Sequence, residues 1–228
     1  MSCCGNKDKC SLPIFAEKLL AWWKENKRDF SWRKVRDPYK ILLAEILLRK
    51  TTAKQVERVY ERFLQKFPSL EALSKASEEE VRGILTHLGM EHKRVKLLLE
   101  IGKILMERHR GRVPSRPEEI IALPGVGRYA ANAVLCLAHG EDAPMVDTNV
   151  VRIVQRAFGF KSSRARAKDD PQLWEFVGAL IPPGRGREFN LALLDLAATI
   201  CTPMTSKSLQ TIQRICSTGW YARNGYSE

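Results

Sequence analysis

Residues 120–140, IIALPGVGRYAANAVLCLAHG, decide the fold. Two apolar stretches with helical spacing flank Leu-Pro-Gly-Val-Gly at 123–127, and Pro124 with Gly125 bars one continuous helix through them. The stretch predicts a tight helix-turn-helix. Gly125 and Gly127 are expected to take backbone angles closed to other residues, so that amides at the start of the second helix approach a phosphate without a side chain in the way. Leu123, Gly125, Val126, Gly127 and Arg128 are therefore candidate DNA contacts. A purely structural turn uses the same glycines, and the residues alone leave both readings open.

Outward from this hairpin the helical period continues almost throughout, and the chain reads as all-α. A first helix places Phe15, Leu19, Leu20, Trp22 and Trp23 on one face. Further helices are expected at about 39–49, 52–66, 78–86, 92–109, 127–139, 147–158, 171–181, 187–200 and 206–216. Ser77 with Glu80, and Ser115 with Glu118, match the capping box at a helix start. Gly89, Gly111, Gly140 and Gly159 stand where left-handed residues end helices, and 161–170 reads as a charged loop.

The chain has 228 residues, enough for a sizeable core, and no apolar run approaches the roughly 20 residues that span a bilayer. Its first dozen residues lack the pattern of a secretory signal, so an intracellular site is expected, cytoplasmic and nucleoid-associated or nuclear, with the six cysteines reduced. The 38 Lys and Arg against 26 Asp and Glu leave a net charge of +12, which points to a polyanionic partner, nucleic acid first.

With these residues in place, the sequence resembles the helix-hairpin-helix DNA glycosylase superfamily, to which endonuclease III belongs. Leu123-Pro-Gly-Val-Gly127 is similar to the family's hairpin, and Asp147, within Met145-Val-Asp147-Thr-Asn149-Val-Val-Arg152, stands where the family carries its catalytic aspartate. The block from Asp37-Pro-Tyr39 through Glu45 to Arg49-Lys50-Thr51-Thr52 is also similar. Ala44 to Arg49 and Arg187 to Asp195 place the closest resemblance with the mismatch-specific thymine/uracil glycosylases, with the adenine glycosylases as near relatives. The resemblance implies a six-helix domain over 30–140 and a second domain from 1–29 and 141–228. Double-stranded DNA with a mismatched or damaged base would lie across the cleft between them, bound by a monomer.

The same resemblance implies roles. Asp147 is the candidate that stabilises positive charge on the sugar and orients water as the N-glycosidic bond breaks. A helix cap is its other reading, and one side chain can do both. Glu45, a carboxylate in the apolar segment 41–48, is either a contact to the flipped base or a structural ion pair. Tyr129 occupies the position where bifunctional relatives carry a lysine, and a phenol forms no Schiff base, so the enzyme reads as monofunctional. Packing in the hairpin is the competing role for Tyr129. Arg49 and Lys50 are candidates to fill the vacated stack. Asn149, Arg152, Arg185 and Arg187 are further DNA-binding candidates.

Many relatives end with C-x6-C-x2-C-x5-C around a [4Fe-4S] cluster. Here Cys201 begins the pattern, but Ser208, Thr211 and Ser217 occupy the other positions, with Cys216 one residue off. No cluster, no metal and no other cofactor are expected, with Leu209, Ile212, Ile215 and Trp220 packing in its place. Cys3, Cys4 and Cys10 read as spectator thiols. A chain ending at Glu228 also leaves no room for the extra domain with which adenine glycosylases read 8-oxoguanine. Adenine excision opposite guanine or 8-oxoguanine stays as the alternative enzyme. A non-catalytic helix-hairpin-helix DNA-binding protein is the alternative outside enzymes, disfavoured because Asp147 and Glu45 would weaken phosphate affinity.

Overall fold

The computed structural model describes residues 12–86 and 88–203, and every regular element within them is helical. In chain order these are α1 (Leu12–Asn26), α2 (Pro38–Leu48), α3 (Ala53–Lys66), α4 (Leu70–Ser74), α5 (Glu78–Leu85), α6 (Glu91–His109), α7 (Pro117–Ile121), α8 (Arg128–His139), α9 (Thr148–Phe158), α10 (Pro171–Leu180) and α11 (Gly186–Thr199). Short 3-10 turns cover Ser31–Arg33 and Ala167–Asp169. The chain divides into two compact units, one over 29–140 and one in which 12–28 joins the described residues from 141 onward.

The 29–140 unit is built around α2. Tyr39 and residues Ile41 to Leu47 are buried, so beyond the half-buried Lys40 this helix is apolar on every side except at Glu45, and it packs against α3, α6 and α8. Asp37 caps its start through the amides of Tyr39 and Lys40, with Pro38 in the first turn, where its missing N–H costs nothing. Around it, α3 buries Val56, Val59, Tyr60 and Phe63, an i, i+3, i+4, i+7 stripe. Full burial of a side chain such as Phe63 or Leu47 contributes roughly 1.5–3 kcal/mol.

Among the described residues this unit holds seven α-helices rather than the expected six. The addition is α4, which Ser69 caps and whose single turn is too short to show a period. The capping box at Ser77 and Glu80 forms as expected, and a second one at Thr52 and Gln55 went unread. Ser115 and Glu118 do not form theirs. The residue before a proline is held in extended backbone, so α7 starts at Pro117, with Arg116 at φ −91° and ψ 131° as its cap residue.

In the other unit, α11 is the central helix and packs on α1 and α9. Asp195, fully buried on α11, accepts hydrogen bonds from Trp23 Nε1 at 2.8 Å, Arg28 Nε at 2.6 Å and the Arg28 amide at 3.1 Å. These bonds fasten the end of α1. Phe15, Leu19 and Leu20 are buried, whereas Trp22 and Trp23 are half-buried at the margin. Among the described residues no helix is long and apolar enough to cross a membrane. The helix expected at 206–216 and the residues Cys3, Cys4, Cys10, Ser208, Leu209, Thr211, Ile212, Ile215, Cys216, Ser217 and Trp220 lie outside the described residues.

Candidate active site

Asp147 stands at the N-cap of α9, reached through the non-helical segment 143–146. That segment is positioned by Asn190, buried on α11. Its Oδ1 accepts the Met145 amide at 2.9 Å, and its Nδ2 donates to the carbonyls of Ala143 and Gly186, each at 2.9 Å. One residue further back, the Asp142 carboxylate accepts the amides of Gly184 at 2.7 Å and Gly186 at 2.8 Å. A Cβ at Gly186 would lie 2.8 Å from Asp142 Cα, so only glycine fits.

The Asp147 carboxylate uses its two oxygens differently. Oδ1 accepts the amides of Asn149 at 2.9 Å and Val150 at 2.8 Å, which is the helix cap. Oδ2 accepts Asn149 Nδ2 at 2.6 Å. A carboxylate oxygen has two lone-pair positions, so among the described residues Oδ2 keeps one for a ligand. The helix start at Asp147 also favours negative charge.

Asn149 and Arg152 extend this arrangement. Asn149 Oδ1 accepts Arg152 Nη2 at 3.1 Å, and Arg152 donates on to the carbonyls of Cys201 at 2.7 Å and Ala197 at 3.2 Å. Arg156 donates to the Thr202 carbonyl at 2.9 Å and to Cys201 Sγ at 3.5 Å. The two arginines thus satisfy carbonyls where α11 ends, as cations at a helix C-terminus do. Arg152, read as a phosphate contact, has its Nε and Nη2 committed to protein acceptors. Arg185 is paired with Glu188, and Arg187 is half-buried. Cys136 and Cys201 are buried thiols outside any disulfide.

In the 29–140 unit, the structure gathers the remaining candidates at the end of α2 and along the hairpin. Glu45 is 8% exposed on α2, and Tyr129 is half-buried in the first turn of α8, the helix against which α2 packs. Leu123 and Val126 are buried, so their side chains anchor the hairpin to the core. Gly125 has φ +65°, and its carbonyl accepts Arg49 Nη1 at 3.1 Å. A Cβ on it would sit 3.0 Å from both Arg49 Nη1 and Leu97 Cδ1. Gly127 differs from expectation. Its φ of −97° and ψ of 176° suit any residue, and what glycine provides there is clearance, since a Cβ would meet nothing within 4 Å. No side chain caps α8 at Gly127, and Arg128 is exposed beside it at the positive end of the helix.

Arg49 and Lys50 are exposed just past α2, with Lys50 in the left-handed region at φ +51°. Beneath them lies a residue that sequence reasoning missed. Arg94 on α6 is 4% exposed and donates to the carbonyls of Ile46, Leu47, Arg49 and Gly89 and to Thr51 Oγ1. Burial pushes its pKa down, and the nearby Arg49 charge adds to this. An arginine among lysines in Glu91-His-Lys-Arg94-Val-Lys96 reads as one more solvated charge, and only its place on the buried face of α6 could have marked it.

Comparison with known proteins agrees with this layout. A family model described as HhH-GPD superfamily base excision DNA repair protein matches residues 43–178. A thymine-DNA glycosylase of Aeropyrum pernix is 43% identical over 198 residues, which is 86% of this chain and 89% of that protein. A thymine/uracil-DNA glycosylase of Pyrobaculum aerophilum is 41% identical over 196 residues, 85% of each. Among solved structures, a thermostable thymine-DNA glycosylase superposes with a TM-score of 0.87 at 37% identity, covering 93% of this chain and 98% of that one.

Proposed function

The chain belongs to the HhH-GPD superfamily of base excision DNA repair proteins, and from that premise we propose that it is a monofunctional DNA glycosylase that releases thymine or uracil mispaired with guanine. The observation that carries the chemistry is Asp147, held by Asn149 and by two amides of α9, with one acceptor position on Oδ2 left for a ligand.

In this reading the hairpin 123–127 and the uncapped start of α8 grip the phosphate backbone, with Arg128 adding charge. The target nucleotide leaves the stack, which costs a few kcal/mol and least for a mispair. As the C1′–N bond breaks, the base departs with the electron pair and the sugar becomes positive. Asp147 stabilises that charge, and water adds its oxygen to C1′ while its proton passes to the solvent or the departing base. Glu45 faces the flipped base as a hydrogen-bond partner. Tyr129 supplies no amine, so the strand stays intact. Asn149 and Arg152 position the carboxylate rather than touching DNA. The protein acts as a monomer, in the compartment that holds the DNA.

The residues do not fit a [4Fe-4S] cluster. Four thiolates are needed, whereas the positions in register after Cys201 hold serine and threonine, and Cys201 Sγ faces Arg156. We assign the enzyme no cofactor.

The test is base release from four duplexes carrying T:G, U:G, A:G and A:8-oxoguanine. Thymine and uracil are expected from the first two. Release of adenine alone would move the enzyme to the adenine glycosylases.

A further inference from the structure

Residues 108–116 read Arg-His-Arg-Gly-Arg-Val-Pro-Ser-Arg, four arginines and a histidine with no acidic residue among them. They run from the last turn of α6 to the start of α7, and Arg108, Arg110, Arg112 and Arg116 are all exposed. Among the described residues, none of the four guanidinium groups has an ion pair or a hydrogen bond. Exposed arginines elsewhere in the chain do, since Arg82 holds Glu78, Arg166 holds Asp169 and Arg185 holds Glu188. The negative end of α6 accounts for Arg108 and His109 in its last turn, but Arg112 and Arg116 lie beyond it. The nearest acids in sequence on the far side, Glu118 and Glu119, stand in the first turn of α7, where a helix start favours them.

The backbone under these charges is fixed. Arg110 and Gly111 turn the chain through the left-handed region at φ +54° and +70°, and both amides donate to the Leu105 carbonyl. The Arg112 amide donates to the His109 carbonyl at 3.1 Å. Val113 and Pro114 are buried, which ties the connection to the core and leaves Arg112 and Arg116 exposed on either side. Planar guanidinium groups on a backbone already in place can each take a phosphate bidentately at little cost in ordering. The cluster also stands away from the hairpin. Leu97 lies against Gly125, and Arg94 donates to the carbonyl of Arg49, whereas Arg110 is roughly 20–24 Å further along α6 at about 1.5 Å per residue.

We propose that 108–116 is a second polyanion-binding surface whose ligand is the phosphate backbone of a separate segment of duplex DNA, so that the protein holds two segments at once and passes from one to the other before releasing the first. The contact is to phosphate and carries no base sequence. The inference rests on the proposed hold of the hairpin on duplex DNA.

The experiment binds the full chain to a short fluorescent T:G duplex and chases it with rising concentrations of unlabelled, fully paired duplex, following dissociation by anisotropy. Transfer through a two-segment complex makes dissociation faster as the chase rises, whereas a single site dissociates at one rate. Wild type is expected to speed up by about five-fold or more over the range, and the combined variant Arg108→Gln, Arg110→Gln, Arg112→Gln, Arg116→Gln to lose that acceleration while its saturated single-turnover thymine release stays within about two-fold of wild type. Lysine at the same four positions should retain most of the acceleration. Chase-independent dissociation of the wild type, or unchanged acceleration in the glutamine variant, would overturn the proposal. Acceleration by poly-glutamate and not by duplex would also overturn it, as the mark of a surface for an acidic protein. Should the combined variant not fold, Arg112→Gln with Arg116→Gln decides by the same criterion. If the wild-type chain releases no thymine, the glycosylase reading fails, and the chase still tests the second surface because it reads binding alone.

Discussion

At Asp147 one carboxylate caps a helix and is available for chemistry, and its two oxygens divide the duties. Asparagine caps helices about as well as aspartate. Asp147→Asn is therefore expected to keep the start of α9 and the affinity for mismatched DNA while slowing single-turnover release by at least about 100-fold, because the charge matters mainly in the transition state. Parallel binding and release measurements check this, and wild-type release by the variant would leave Asp147 as a cap alone. The hairpin glycines make a second contrast. Gly125→Ala must hold φ +65° and crowd Arg49 and Leu97, so it should lose about 1–2 kcal/mol of stability in thermal melts. Gly127→Ala fits its backbone and should melt no lower than wild type, yet bind duplex more weakly if its clearance admits DNA. Sequence reading treated these two glycines alike, since spacing does not reveal φ. Asp147 was singled out by the family resemblance and Glu45 as a carboxylate in an apolar run, whereas Arg94 was hidden among other cations.

Among the elements, the long helices were legible from their apolar period, as α3 and α9 show, and α4 was not, because one turn has no period. Start signals failed only where proline intervened. Thr52 Oγ1 accepts the Gln55 amide and the Thr52 amide donates the reciprocal bond to Gln55 Oε1, so Thr52→Ala should cost about 0.5–2 kcal/mol in chemical denaturation. Ser115→Ala removes a hydroxyl that caps nothing in α7 and should stay within about 0.5 kcal/mol of wild type. A larger loss at Ser115 would mean that the capping box forms in solution.

For the whole chain, the +12 charge predicts duplex affinity that falls steeply with salt, and the absent thiolates predict a protein indifferent to metal. Purified protein should carry no iron, show no absorbance near roughly 400 nm, and melt at the same temperature with or without chelator. About four irons per chain with matching sulfide would contradict this. Helical period made the all-α fold legible, charge and the hairpin a nucleic-acid partner, and the family resemblance the enzyme. The arginine clamp of Arg152 and Arg156 on the end of α11 was not, because carbonyl acceptors leave no mark in a sequence. A carboxylate at 147 with tyrosine and not lysine at 129 is a set of groups for hydrolysis without strand cleavage. The most direct measurement is a single turnover on a T:G duplex with borohydride present, reading free thymine, strand integrity before and after alkali, and covalent adduct. Thymine release is expected with an intact strand that breaks only in alkali and with no trapped protein–DNA species. A borohydride-stable adduct, or strand breakage without alkali, would contradict it.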